Sequence, residues 1–148
     1  MKPPNEVLLP MMLMLSLIFV GTQKALAQTE TVLSSFVGGT SDGQIPHGRL
    51  VMDSSGNLYG TTFSGGTYNK GTVSRLSPGT PWTKKVLHNF ASVGDGAYPW
   101  GGLTLVEGNL YGTTTRGGTS DHGTLFELTP GISWTLTGLY SFTGGVDG

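Results

Sequence analysis

The sequence predicts an all-β protein made of antiparallel four-stranded blade repeats of β-propeller type, two full blades plus one extra strand. Three observations predict it. Asn57-Leu58-Tyr59-Gly60-Thr61-Thr62 recurs as Asn109-Leu110-Tyr111-Gly112-Thr113-Thr114, an offset of 52, and a fixed period decides architecture before any single residue does. Each unit reads as four short strands separated by Gly, Pro and Asn turns, which in ~50 residues is the size of one propeller blade. No stretch carries a capped helical pattern of period 3.6.

The chain begins with a segment that stands apart from the repeats. Lys2 and a mostly apolar run from Val7 to Val20, interrupted by Pro10, lead to Ala25-Leu26-Ala27. A charged start, a short apolar core and small residues at an A-x-A site describe a secretory signal peptide over residues 1–27, cut between Ala27 and Gln28. The uninterrupted apolar stretch, Met11 to Val20, is shorter than the ~20 residues that span a bilayer. No stable transmembrane segment is expected after cleavage, and the expected location is secreted, periplasmic or at the cell surface.

Residues 28–41 read as a partial repeat, the last strand of a preceding blade. Val32-Leu33-Ser34-Ser35-Phe36 matches Val86-Leu87-His88-Asn89-Phe90 at an offset of 54. Repeat 1 spans 42–94, repeat 2 spans 95–146, and 147–148 start a third. Strand a is placed at Arg49–Asp53 and Leu103–Val106, before a Gly-Asn turn, residue types that tolerate positive φ. Strand b is placed at Leu58–Phe63 and Leu110–Thr115, and a Gly-Gly loop follows. Strand c is Thr72–Leu76 and Thr124–Leu128. A Ser/Thr-Pro-Gly turn leads to strand d, Trp82–Phe90 and Trp134–Phe142. Single-residue insertions fall between Phe36 and Asp42 and in the turn Asp53–Gly56, as a retained strand register requires.

Composition excludes several classes. The 148 residues hold 25 Gly and no Cys, with 8 Lys and Arg against 9 Asp and Glu. Without the leader, 121 residues remain with a net charge of −2. No basic excess exists to neutralise phosphates, so nucleic acid is not an expected partner. The missing Cys excludes disulfides, thiolate metal sites and a Cys nucleophile. Glycine without a three-residue period excludes collagen.

The pattern D-G-x-x-P, G-N-L-Y-G-T-T-x-x-G-G-T, G-T-[VL], P-G-x-x-W-T and a closing F resembles the GloVer tandem repeat over about residues 31–148. The unit is also similar, more distantly, to a kelch blade. The resemblance implies an exported bacterial repeat architecture, and it supplies no catalytic residues. The Ser74–Gly79 turn and Trp82 are similar to an Asp-box hairpin of sialidase-like propellers but lack its Asp.

No catalytic, cofactor-binding or metal-binding residue is assigned, and no cofactor is expected. The histidines do not recur: His47 aligns with Trp100, His88 with Tyr140 and His122 with Lys70. Asp42, Asp95 and Asp147 recur before Gly and read as turn residues; the alternative, calcium ligation, normally gathers several carboxylates in one loop. Asp53, Glu107, Asp121 and Glu127 show no pairing in their spacing for glycosidase chemistry. Thr61-Thr62 and Thr113-Thr114-Thr115 read as exposed strand positions, and Lys84-Lys85 as solvated surface.

Two blades leave faces and edges uncovered. A longer parent protein, assembly of several copies into a ring and a stable open pair all meet that problem. The expected function is a non-enzymatic exported module for surface interaction or structure, with a glycan or a surface protein as partner and open blade edges as a route to self-association. The alternative is a carbohydrate-binding or carbohydrate-active propeller domain with Trp100, Asp42, Asp95 and Asp121 converging in one cleft.

Overall fold

The computed structural model describes residues 29–147; the leader and its cut before Gln28 lie outside the described residues. The strands are β1 (Gly43–Met52), β2 (Leu58–Gly65), β3 (Thr72–Ser77), β4 (Thr83–Asn89), β5 (Thr104–Val106), β6 (Asn109–Thr113), β7 (Thr124–Thr129) and β8 (Thr135–Ser141). They form two four-stranded meanders, ordered β1-β2-β3-β4 and β5-β6-β7-β8. Every neighbouring pair is antiparallel. Among the described residues all regular elements are strands.

The sequence recurrence is a recurrence of register. Gly60 lies opposite Ser74, and Gly112 opposite Phe126. Both sheets carry an irregularity at the same place, between Val73 and Ser74 and between Leu125 and Phe126. The Gly-Gly loops also match: Gly65, Gly66, Gly117 and Gly118 all take φ between 76° and 80°, a region an L side chain enters only with strain.

Three expectations need correction. Strand a of the first repeat starts earlier than Arg49, at Gly43, because residues 43–47 pair with 61–65 beyond a shift between His47 and Val51. The first hairpin of repeat 2 turns on Glu107 (φ 50°) and Gly108 (φ 86°) rather than on Gly-Asn. Asn109 already pairs with Val106, so the tight turn with two positive φ values ends before it. Val32–Phe36 forms no strand: it pairs with neither edge of the first sheet, β1 or β4, and an extended segment without ladder partners is not a strand.

The two sheets stack face to back. One face of the first sheet presents Val51, Tyr59, Val73 and Leu87 to Leu103, Leu110, Phe126 and Leu128 of the second, with Leu105, Trp134 and Leu136 at the border. Phe90, just past β4, is fully buried and meets Phe126 edge-on at 5.2 Å between ring centroids. Tyr59 reaches Trp134 at 5.8 Å. The connection from β4 to β5 returns along β1: a Cβ on Gly48 would lie 2.5 Å from the Gly102 nitrogen, so glycine permits the close approach there.

Candidate functional site

The residues that each repeat uses twice are the natural place to look for chemistry, and each proves to hold its own repeat together. Asp42 accepts the Val37 and Gly43 N–H groups at 2.9 and 2.8 Å. Asp95 accepts the Ala91 N–H and faces His88 Nε2 at 3.0 Å. Asp147 accepts the Thr143 N–H, the Thr143 hydroxyl and the Tyr140 hydroxyl. In all three the carboxylate ties down the residue that follows the repeat's closing Phe (Phe36, Phe90 or Phe142). That is the turn role expected of an Asp-Gly pair, repeated three times.

These bonds set the electrostatics. Burial pushes the Asp42 carboxyl up, but the hydrogen bond from Lys84 and those from Val37 and Gly43 outweigh it and hold it below its ordinary value. The Thr143 and Tyr140 hydroxyls hold Asp147 down to about 2. Hydrogen bonding to that carboxylate in turn pushes the Tyr140 phenol up.

Lys84 is not solvated surface. Its ammonium donates to Asp42 Oδ2 at 2.7 Å and to the Ser35 carbonyl at 2.6 Å, and sits 4.2 Å from the Phe36 ring centroid. It latches residues 35–42 to β4. Its repeat counterpart, Leu136, packs against the core between the sheets, whereas Lys84 pairs with Leu76 on the outer side of the first sheet and is covered there by residues 35–42. Lys85 is exposed, as expected.

The Asn-Leu-Tyr motif acts as a carboxylate clamp. Asn57 Nδ2 and Tyr59 Oη donate to Asp53 Oδ2 at 2.8 and 2.9 Å. Asn109 Nδ2 and Tyr111 Oη donate to Glu127 Oε1 at 2.8 and 2.7 Å. The carboxylate comes from the turn in one repeat and from β7 in the other, so neither aligned with a counterpart in sequence. Burial and then the Asp53 bond push the Tyr59 phenol up; for Tyr111 the Glu127 bond leads.

The Thr pairs are the next correction. Thr61, Thr62 and Thr114 are buried, whereas Thr113 is exposed. Thr62 and Thr72 share a hydroxyl–hydroxyl bond of 2.8 Å, and Thr114 and Thr124 one of 3.0 Å. The first hydroxyl of each pair also accepts the backbone N–H of the second residue. A Cβ on Gly96 would run into the hydroxyls of Thr114 and Thr124, which is why Gly follows Asp95.

The four residues placed in one cleft by the carbohydrate reading stand apart in role. Asp42 and Asp95 tie their own loops. Asp121 (φ 58°) donates nothing to a cleft: its Oδ1 accepts the Gly117 N–H at 2.7 Å, and Asn69 makes the matching bond to Gly65 at 3.0 Å. Trp100 stacks on His47 at 3.8 Å and meets Phe63 edge-on, while Phe63 also contacts Tyr98. The indole remains 53% exposed. This aromatic cluster, built from β1, β2 and the inter-sheet connection, is the one feature of the four suited to stacking against a ligand. Among the described residues no group of three His, Asp or Glu side chains comes together as a metal site would need.

A cavity of about 180 Å³ lies on the outer face of the first sheet, lined by Phe36, Pro46, His47, Leu50, Ser74 and Leu76. Its second-sheet counterpart is filled, because Phe126 stands where the first repeat has Ser74.

Residues 19–148 match the family model described as Gloeobacter/Verrucomicrobia repeat. No curated protein and no solved structure matches the chain.

Proposed function

The chain belongs to the Gloeobacter/Verrucomicrobia repeat family, and on that premise we propose that it is an exported, non-catalytic β-repeat module of propeller type serving surface interaction or structure. The observation that carries this reading is the engagement of the repeated carboxylates. Asp42, Asp95 and Asp147 all accept hydrogen bonds that close their own loops, and Asp53 and Glu127 are clamped by Asn and Tyr. A general acid or base needs an oxygen facing substrate. Export is supported by the leader pattern of residues 1–27.

The test combines a pull-down from surface extracts, a glycan array and polysaccharide hydrolysis assays on the full chain. Binding without turnover is expected. Hydrolysis abolished by one carboxylate substitution, such as Glu127→Gln, overturns the reading. Amino-terminal sequencing of the exported chain should begin at Gln28, and a retained leader contradicts export by cleavage.

One observation favours a carbohydrate-binding role as a second reading. The exposed Trp100 face, braced by His47 at 3.8 Å, is the kind of rigid aromatic surface that supplies contact area at small conformational cost. Trp100→Ala should then abolish glycan retention while leaving the unfolding midpoint nearly unchanged.

A further inference from the structure

The outer side of the first sheet repeats the inner side of the second with one ring missing. Gly112 lies opposite Phe126, and Gly60 opposite Ser74. In the second sheet the Phe126 ring fills the space over Gly112, where a Cβ would lie 2.6 Å from the ring's Cζ. Phe90 closes on that ring edge-on at 5.2 Å. In the first sheet the neighbours of the ring recur: Phe36 stands for Phe90, Leu50 for Leu103 and Leu76 for Leu128. With Ser74 they line the cavity of about 180 Å³, which exceeds the roughly 150 Å³ that holds benzene in an apolar protein cavity. Phe36 is held in its wall by the Lys84 latch to Asp42 and the Ser35 carbonyl. Leu50 is 59% exposed where Leu103 is 5%, which leaves a side of entry.

The polar group in this wall has a definite sense. The Thr62 hydroxyl donates to the Ser64 carbonyl at 3.0 Å, so its proton is spent. In its 2.8 Å pair with Thr72 the donor is therefore Thr72. Ser74 is left to donate to Thr72 across 3.4 Å, its one side-chain hydrogen bond among the described residues. The Ser74 oxygen, buried at 1% exposure, then keeps its lone pairs without a donor. A buried acceptor left unmatched costs free energy that a ligand hydroxyl restores. We propose that the cavity binds a small phenol, its ring in the place of the missing Phe126-type ring and edge-on to Phe36, its hydroxyl donating to Ser74 Oγ. A ring carrying an ether oxygen instead has no proton to give and sets two acceptors against each other.

The test is titration of the full chain with phenol and with anisole, read by NMR shifts of the Phe36, Leu50 and Leu76 side chains and by urea unfolding. Phenol should shift those three groups saturably and raise the unfolding midpoint, because a ligand of the folded chain stabilises it. Anisole should bind about fivefold more weakly, the worth of one neutral hydrogen bond. Ser74→Ala should remove that preference by weakening phenol alone. Ser74→Phe restores the ring that the second sheet carries and should abolish the phenol shifts, with circular dichroism confirming the fold. No saturable shift, anisole bound as tightly as phenol, or a folded Ser74→Phe chain that still binds phenol at those side chains each overturns the inference. Should Ser74→Phe fail to fold, Ser74→Ala decides: a lost preference for phenol supports the site, and an unchanged one overturns it.

Discussion

Phe36, Phe90 and Phe142 occupy one repeat position in three environments, which makes them a graded test of how the sheets are joined. Phe90 is fully buried and pairs with Phe126 at 5.2 Å, whereas Phe36 and Phe142 are only half-buried. Truncating a buried Phe to Ala costs about 3–5 kcal/mol, and losing an edge-to-face partner adds about 0.5–1.5 kcal/mol. Phe90→Ala should therefore lose about 4 kcal/mol or more. Phe142→Ala loses only the part of the ring already out of water, about 1 kcal/mol at a side-chain burial worth ~1.5–3 kcal/mol in full. Urea unfolding of the full chain and both variants reads the difference. At slopes of ~1–3 kcal/mol per molar, the Phe90→Ala midpoint should fall by at least about 1 M, several times the Phe142→Ala shift. Equal shifts, or a Phe90→Ala cost below about 1 kcal/mol, would refute the claim that this ring joins the two sheets.

Three more outcomes follow from the same structure. Gly96→Ala should cost about 2–4 kcal/mol in unfolding free energy, since φ is 90° and the new Cβ meets the Thr114 and Thr124 hydroxyls; Gly94→Ala, with φ 83° and open space, should cost only the ~1–2 kcal/mol of the backbone conformation. Lys84→Ala strands a buried carboxylate and should cost about 1–3 kcal/mol, with faster amide exchange at Val37 and Gly43, while Lys85→Ala stays within ~0.5 kcal/mol. Asp42 and Asp147 both titrate below the ordinary 3.8 in the folded chain. Their contribution is complete above the unfolded carboxylate value and is lost as pH falls through the folded one. Stability should thus decline between about pH 4 and pH 2, the Thr143 amide shift should titrate near 2, and Asp42→Asn should flatten the decline.

The recurrence of Asn-Leu-Tyr-Gly-Thr-Thr located both sheets, their strand order and the Gly-Gly loops, because period and turn chemistry are local properties of a chain. What it missed depends on partners far away in sequence. Thr62 and Thr114 look like exposed strand residues until their hydroxyls meet Thr72 and Thr124. Lys84 looks solvated until Asp42, distant in the chain, comes within 2.7 Å. Val32–Phe36 has the composition of a strand and lacks only the neighbours that would make it one. The recurring Asp residues were readable as turn residues, because the backbone groups they bind lie four or five positions away. The Asn-Tyr clamp was not, since Asp53 reaches it from a turn in one repeat and Glu127 from a strand in the other. Trp100 was singled out, and it is the residue of its proposed group that presents an open face.

Face-to-back stacking of one repeated sheet template is tested most directly by ring-to-ring NOEs in the full chain. Stacking in this order requires cross-peaks from Tyr59 to the Trp134 indole and from Phe90 to Phe126, whose ring centroids lie 5.8 and 5.2 Å apart. Cross-peaks from Tyr59 to Tyr111 or Leu125 instead, which would mean like faces in contact, or none between the sheets, would contradict it.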